Sequence, residues 1–217
     1  MSQITYELAA YSVKDDAAYK SIQEDMHKMV SGWEGYISSM RLQSVGTPTN
    51  FADIAVWTTE ALAKEAAKKF DDTNGPVQTA AKAQFGDMVV FGHFFAKSSD
   101  NVLARFGKTG AFVEIAASYP GSVASYEAAQ VDVHQLLKSD YAGVIDTEIL
   151  KGDVDGQGVC LVDLISWESP EDMKHTFEAV STDERFAAFF TTSDQPVLCE
   201  LYVVTGLHGQ ALREVVK

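Results

Sequence analysis

The chain has 217 residues, of which 46% are hydrophobic and 22% charged, a composition typical of a folded globular protein. Its 17 basic and 31 acidic residues give a net charge of −14, which disfavours nucleic acid and anionic membranes as partners and favours an uncharged or cationic small molecule. No apolar segment is long enough for a membrane span, and the N-terminus lacks the pattern of a signal peptide. Cys160 and Cys199 stand outside any metal-ligand motif, so we expect a cytoplasmic protein without a metal site.

The first part of the sequence predicts the order strand, helix, strand, strand, helix, strand. Segments rich in β-branched and aromatic residues predict the strands, and apolar positions at a period of 3.6 predict the helices. The first helix, for example, has Tyr19, Ile22 and Met26 on one face and ends at Gly32. The predicted strands cover 4–11, 35–43, 51–58 and 88–95, and the predicted helices cover about 15–30, 60–70 and, as a short piece, 77–84.

The second part of the sequence repeats this order. Its predicted strands cover 111–118, 143–150, 159–167 and 197–204, and its helices cover 122–138 and 170–180. An offset of 107 residues, increasing to 110 through insertions, aligns identical residues in both parts, which indicates a duplicated unit. The aligned pairs include Glu7 and Glu114, Tyr19 and Tyr126, Gln23 and Gln130, His27 and His134, Asp53 and Asp163, and Trp57 and Trp167.

A βαββαβ unit of about 100 residues predicts a ferredoxin-like α+β sandwich with helices on one face of its sheet. Two such units in one chain can close their bare faces against each other, as a barrel with pseudo-two-fold symmetry. We therefore expect a first repeat at 1–96, a linker at 97–110 and a second repeat at 111–217, which form a pseudo-dimer within the chain. Further association into a homo-oligomer stays open.

Two stretches near the end of the second repeat carry a family resemblance. The stretch from Trp167 to Met173 and the stretch from Ser181 to Phe186 resemble the Trp-Glu-Ser-x-Glu-x-Phe and Ser-x-x-x-Phe pattern of the antibiotic biosynthesis monooxygenase family, a branch of the dimeric α+β barrel superfamily. The stretch from Trp57 to Glu60 is a weaker copy. The resemblance implies an intramolecular dimeric α+β barrel. Members of this family include cofactor-free oxygenases of aromatic polyketides, haem-degrading monooxygenases and proteins without a known activity.

The resemblance also bears on the cofactor. In the haem-degrading branch a histidine that follows the second motif ligates iron, but the matching position in this sequence is Phe190. The tryptophan that this branch has in helix 2 is replaced by Thr176, and its strand 1 asparagine is replaced by Glu7 and Glu114. These departures argue against haem cleavage by that route, so we expect no cofactor. Haem binding through another histidine, His27 or His134, is a weaker alternative.

Three polar residues at intervals of four recur in both repeats. Tyr19, Gln23 and His27 line one edge of the first helix, because steps of four advance only about 40° around a helix. Tyr126, Gln130 and His134 do the same in the second repeat. At the border of the apolar stripe, these side chains can face a ligand pocket between helix 1 and the sheet. Alternatively, they cover the core and serve structure alone.

The first strand of each repeat carries a carboxylate, Glu7 or Glu114. Burial would raise the pKa of such a carboxyl into the range of a general base. The alternative is a carboxylate that hydrogen-bonds to a neighbouring polar group. Trp57 and Trp167 end the third strand of each repeat, where they can contact a ligand or pack.

The sequence thus favours a small-molecule oxygenase that binds a flat, apolar, phenolic or quinol-like ligand. In this hypothesis Glu7 or Glu114, with His27 or His134, removes a proton, and Tyr19, Gln23, Trp57, Tyr126, Gln130 and Trp167 bind the ligand. If one pocket works, we expect it in the second repeat, which has the better tryptophan motif. The alternative is a non-catalytic ligand-binding or stress-associated protein of the same fold.

Overall fold

The computed structural model describes residues 3–98, 102–108, 110–154, 156–192 and 196–209. The first half contains β1 (Thr5–Val13), α1 (Asp16–Ser31), β2 (Tyr36–Ser44), β3 (Asn50–Trp57), α2 (Glu60–Asp72), α3 (Pro76–Gln84) and β4 (Phe85–Ala96). The second half contains β5 (Phe112–Ser118), α5 (Val123–Asp140), β6 (Val144–Val154), β7 (Gly158–Trp167), α6 (Pro170–Val180), α7 (Ala187–Thr192) and β8 (Leu198–Gly209). Every predicted strand and helix is present, with ends that differ by a few residues.

The eight strands form one closed antiparallel barrel in the order β1-β3-β2-β8-β5-β7-β6-β4. Within each half the strand order is that of a ferredoxin-like unit. Two seams join the halves, one between β2 and β8 and one between β4 and β6. The predicted α+β barrel, made of two βαββαβ repeats in one chain, is confirmed.

The period of two along each strand separates the barrel interior from the outer face. On β1, for example, Tyr6 and Leu8 point into the barrel, whereas Glu7 and Ala9 point outward toward the helices. Apolar side chains from both halves fill the interior, among them Met40, Ile54, Phe94, Ile115, Leu164 and Tyr202. The barrel is therefore a packed core, and any ligand site must lie on its outer face, beneath the helices.

The predicted linker contains a short helix, α4 (Val102–Phe106), where the sequence predicts none. Val102, Leu103 and Phe106 are buried against the barrel core, and the Val102 N–H donates to the Tyr6 hydroxyl at 3.3 Å. The segment 97–110 thus adds to the core. Its residues 99–101 and 109, like 210–217 of the second repeat, lie outside the described residues. The division of the chain at 1–96 and 111–217 stays a prediction.

Local sequence signals place the helices over the outer face. Asp15 and Ser169 accept hydrogen bonds from the first turns of α1 and α6, as N-cap residues do. Gly35 and Gly143, which precede β2 and β6, have φ values of +82° and +86°, and a Cβ on Gly35 would lie 2.6 Å from the side chain of Leu62. Among the described helices, none combines the length and apolar character needed to cross a bilayer.

Candidate functional site

An apolar cavity of about 330 Å³ lies in the first half, between the outer face of the sheet and helices α1 and α2. This volume is within the range of small-molecule sites. Apolar and aromatic side chains form most of its wall, among them Tyr19, Met26, Val30, Ala66, Phe70 and Phe85. Phe91 of β4, on the same wall, is 39% exposed, so the cavity opens to solvent beside this strand.

The floor of the cavity combines two small side chains with three charged ones. Arg41 of β2 pairs with Asp53 of β3, and Asp53 pairs with Ala9 of β1. Two residues further along these strands, Glu7 pairs with Ala55. Side chains of paired residues lie about 5 Å apart at their Cβ atoms. The two alanines therefore leave space above the sheet, with Glu7, Asp53 and Arg41 around it.

Asp53 is the end of a chain of hydrogen bonds between side chains. The Tyr11 hydroxyl donates to Oδ2 of Asp53 and also bonds to the Tyr19 hydroxyl, which must then be the donor of that second bond. Burial raises the pKa of Asp53 to about 6, against the opposing effects of the Tyr11 hydrogen bond and the Arg41 charge. Burial also raises the pKa of both tyrosines. Asp53 is thus a carboxyl that changes its charge close to neutral pH, beside two phenols that stay protonated.

Arg41 is oriented by a residue of the other half. Its Nη2 donates to Nε2 of His208, which lies on β8 across the seam. The His208 ring stacks on the His27 ring of α1 at 3.6 Å between centroids. Burial, together with the Arg41 and His27 charges, lowers the pKa of His208 to about 4, so this ring is neutral and can accept the hydrogen bond. Glu24 lies 3.6 Å from Arg41 but is largely exposed, which makes it a weak partner.

The two predicted catalytic residues of the first half lie on the cavity wall with partners of their own. Oε2 of Glu7 lies 3.2 Å from Nε2 of His93 on β4. Nδ1 of His27 lies 3.5 Å from the Tyr36 hydroxyl, and burial, then the Arg41 charge, lowers the pKa of His27. Both effects favour the neutral form of the His27 ring.

Three nitrogen donors around the cavity are buried without a partner among the described residues. They are Nε1 of Trp57, Nε2 of Gln23 and Nε of Arg41. Burying such a group unpaired costs about 1–3 kcal/mol, and most buried polar groups in proteins are paired. These donors therefore lie within the wall of the cavity, where they have almost no accessible surface.

In the second half, the equivalent polar residues contact one another, although Oε1 of Gln130 is buried without a partner among the described residues. Nε2 of His134 lies 2.8 Å from Oδ1 of Asp163, and Nε2 of Gln130 donates to Oδ2 of Asp163 at 2.9 Å. Nε1 of Trp167 donates to Oε2 of Glu114 at 3.1 Å. Burial raises the pKa of Glu114 to about 7, against the lowering effect of that hydrogen bond.

Larger side chains fill the space that is open in the first half. Ile165 stands where the first half has Ala55, and it packs with Val133 and Phe186 in one cluster. Phe189 stacks on Tyr126 at 5.4 Å between ring centroids. The structure therefore reverses the expectation that the second repeat has the better pocket, because the stronger tryptophan motif belongs to the more tightly packed half.

The predicted site residues have different surroundings in the two halves. Glu7, Tyr19, Gln23, His27 and Trp57 all line the first cavity. Their counterparts are buried and bonded or packed in the second half: Glu114, Tyr126, Gln130, His134 and Trp167.

Four functional candidates were absent from the predicted site: Tyr11, Arg41, Asp53 and His208. Of these, Asp53 carried a usable signal, because it recurs as Asp163 and shares a strand face with the tryptophan. Arg41 and His208 carried no such signal. Arg41 aligns with Ile149 in the second repeat, and His208 reaches the site from the other half, across the seam between β2 and β8.

The hypothesis of haem binding has little support from these contacts. His134 is held by Asp163, and the His27 ring is covered on one side by His208. In the part of the chain that the structure describes, no three His, Cys, Asp or Glu side chains cluster as metal ligands. Both histidines that this alternative needs thus already have a partner within the chain.

Comparison with known proteins shows the fold. No protein-family model and no curated protein matches this chain. An anthrone oxidase-like protein matches it with a TM-score of 0.72 at 13% identity, over 95% of this chain and 93% of its own. A proposed chlorite dismutase matches with a TM-score of 0.62 at 12% identity, over 95% and 96%. A proposed monooxygenase from Fusobacterium nucleatum subsp. nucleatum matches with a TM-score of 0.59 at 10% identity, over 97% and 96%.

These structures are similar to this chain over nearly its whole length, and the chain has the dimeric α+β barrel fold with both halves covalently joined. At such low identities the likeness shows the architecture alone. The reaction must be inferred from the cavity itself.

Proposed function

We propose that this protein is a cofactor-independent oxygenase that binds a flat, apolar, phenolic or quinol-like molecule in the cavity of the first half. One observation carries the proposal: a carboxyl with a pKa of about 6, Asp53, lies on the wall of an apolar cavity and is bonded to the Tyr11 hydroxyl. The names of the anthrone oxidase-like and monooxygenase-like structures agree with it. Both cysteines are free thiols, which suits a reducing cytoplasm.

In this proposal Asp53 is the general base. A base with a pKa near the working pH is both largely ionised and able to hold the proton that it takes. Glu7 is the second candidate, but its carboxylate faces His93. Arg41, directly across the strand pair, places a positive charge beside the phenolate oxygen that forms. The Tyr11 hydroxyl fixes the carboxylate in place.

The chemistry that follows is balanced without a further reductant. The base takes the hydroxyl proton, and the electron-rich ring carbon of the phenolate forms a bond to O₂. The adduct then loses water, so one oxygen atom becomes a ring carbonyl, the other leaves in H₂O, and a phenol plus O₂ yields a quinone plus H₂O. The apolar wall excludes bulk water and favours the flat ring.

Oxygen uptake with a panel of phenols and quinols tests this function. We expect uptake by the wild type and a loss of about 100-fold or more in Asp53→Asn, in line with the size of general-base catalysis. Glu7→Gln measures how much the other carboxylate contributes to O₂ uptake. Asp132→Asn, the same change at an exposed position of α5, is the matched control and should leave uptake unchanged.

Two outcomes contradict the proposal. Equal O₂ uptake by wild type and Asp53→Asn would show that Asp53 is not the general base. Tight binding of the same compounds without any O₂ uptake would instead support the alternative function, a ligand-binding protein that uses the same cavity.

A further inference from the structure

A buried histidine of β4 breaks the symmetry of the two repeats. His93 is the cross-strand neighbour of Glu7, whereas the equivalent neighbour of Glu114 is Leu201 of β8. Leu201 packs against an apolar cluster of the second half, so the fold itself requires no polar side chain at this position. His93 is only 8% exposed, and an imidazole buried without a packing need indicates a role at the neighbouring glutamate.

The histidine changes the partner of the glutamate on the first strand of the repeat. In the second half, Nε1 of Trp167 donates to Oε2 of Glu114 at 3.1 Å. In the first half, Oε2 of Glu7 lies 3.2 Å from Nε2 of His93 instead. The other oxygen, Oε1 of Glu7, makes no hydrogen bond within the described part of the chain, and the side chain is 18% exposed and lies on the cavity wall. One carboxyl oxygen of Glu7 is therefore held by β4, and the other is available to a ligand.

Glu7 and Asp53 are the two carboxyls of the cavity floor. Glu7 pairs with Ala55 and Asp53 pairs with Ala9, so the two carboxyls are diagonal neighbours on one face of β1 and β3. Diagonal neighbours lie about 7 Å apart at their Cβ atoms. A flat ring between them that has its hydroxyl at Asp53 brings its opposite carbon toward Glu7. An oxygen molecule that bonds to this carbon is therefore next to Glu7, away from the base.

We infer that Glu7 is the general acid of the proposed reaction and that His93 is its positioning residue. This inference rests on the proposed function and assigns the step after O₂ addition, in which the terminal oxygen of the adduct is negative and needs a proton. Protonated Glu7 gives this proton from Oε1. The Nε2–H of His93 donates to Oε2 and stabilises the carboxylate that forms.

Protons and electrons balance over the two carboxyls. After the Oε1 proton has moved to the terminal oxygen, the Glu7 carboxylate takes a proton from the ring carbon that carries the peroxide. The electron pair of that C–H bond forms the carbonyl, and the O–O bond breaks with its electron pair on the departing hydroxide. The hydroxide combines with the proton that Asp53 took from the phenol. One water molecule leaves, and both carboxyls regain their starting charge.

Hydrogen exchange at a ring carbon tests the acid without O₂. The probe is 1-naphthol in heavy water under anaerobic conditions, where exchange at C4, opposite the hydroxyl, requires loss of the hydroxyl proton and delivery of a deuteron to C4. We expect the wild type to accelerate this exchange, and Glu7→Gln and Asp53→Asn each to reduce the acceleration about 100-fold. Mass spectrometry and NMR of the recovered naphthol measure it. Glu178→Gln, the same change at an exposed position of α6, is the matched control.

Two variants of His93 separate positioning from packing. His93→Leu introduces the side chain that the second half has at Leu201, and it should slow exchange at C4 and O₂ uptake about tenfold, because Glu7 loses the donor to Oε2. His93→Gln retains an N–H donor and should keep most of both rates. In a Glu7→Gln background, His93→Leu should have no further effect. The affinity for 1-naphthol, measured by titration, should change less than twofold in either His93 variant, which a general disturbance of the cavity would not allow.

The outcomes distinguish this inference from the proposed function. If exchange at C4 and O₂ uptake are the same in wild type, Glu7→Gln and His93→Leu, then Glu7 is not the general acid, whatever the effect of Asp53→Asn. If Glu7→Gln loses the exchange at C4 but the wild type consumes no O₂, the general acid stands and the oxygenase chemistry fails.

Discussion

Asp53 and Asp163 occupy equivalent positions in the duplicated fold, yet Asp163 is bonded to helix residues and Asp53 faces open space. His134 and Gln130 hold Asp163 from α5. Asp53 instead has Tyr11 as its hydrogen-bond donor and Arg41 as its cross-strand neighbour. The same carboxylate is thus bonded to helix residues in one half and lies on the wall of an open cavity in the other.

The pH dependence of the reaction should follow the protonation of Asp53. Because this carboxyl must be ionised to accept a proton, kcat/KM should rise with pH and reach half its maximum near pH 6. Initial rates of O₂ uptake, measured at a series of pH values from 4.5 to 8, give this profile. A profile that is flat across pH 6, with a substrate whose own hydroxyl does not titrate there, would contradict the assignment of Asp53 as the base.

Filling the cavity should abolish ligand binding without unfolding the protein. Ala55→Ile introduces the side chain that the second half has at Ile165, and we expect at least a tenfold loss of affinity with a free energy of unfolding within about 1 kcal/mol of the wild type. Calorimetric titration and urea unfolding measure the two quantities.

The reverse exchange, Ile165→Ala, is the matched control for that experiment. It opens a void in a packed cluster and should cost about 3 kcal/mol of stability. Ligand affinity at the first cavity should be unaffected. Equal loss of affinity in both variants would show that the ligand does not sit above Ala55.

His208 should act on the first cavity through Arg41. His208→Leu removes the acceptor for Nη2 of Arg41, and we expect kcat/KM to fall about tenfold as the guanidinium loses its orientation. His208→Gln keeps an acceptor and should retain most of the activity.

A double-mutant cycle checks that route. In an Arg41→Met background the additional effect of His208→Leu should vanish, because both changes remove one interaction. Additive losses would show that His208 contributes in some other way, through its stacking on His27 for example.

Glu114 should make the stability of the protein dependent on pH. Its pKa is about 7 in the folded state, above the ordinary value of 4.5, so between these values the folded protein binds more protons than the unfolded chain. The stabilising contribution is fully present below about pH 4.5 and is lost as the pH rises through 7. Glu114→Gln, which cannot ionise, should therefore be more stable than the wild type by about 2 kcal/mol at pH 8 and show no such gain at pH 4.

Urea unfolding of wild type and Glu114→Gln at both pH values measures this difference. A gain that is the same at pH 4 and pH 8 would mean that the amide packs better and that ionisation is not the cause.

The sequence contained enough information for the barrel. Alternating strands, capped helices and the offset of about 107 residues determine two βαββαβ units, and two such units with bare faces close against each other. It did not reveal α4, because Val102–Phe106 becomes helical through burial of its apolar side chains against the barrel core and not through a strong local pattern.

Part of the cavity wall could be predicted from the sequence, for a physical reason. The residues Tyr19, Gln23 and His27 follow from a helical period, which a sequence displays directly. No periodic pattern shows which half contains the open cavity, because this depends on side-chain volume at single positions such as Ala55 and Ile165. The role of Arg41 depends on which strand lies beside β2, and that strand belongs to the other half of the chain.

The two seams of the barrel have a consequence for how the protein behaves on dilution. A barrel assembled from separate subunits dissociates when its concentration falls below the dissociation constant, whereas here β2–β8 and β4–β6 pair within one polypeptide. Closure is a unimolecular step, so the architecture persists at any concentration. Mutation can also change one half without changing the other, so that one molecule has an open cavity above Ala55 in one half and the side chain of Ile165 at the equivalent place in the other.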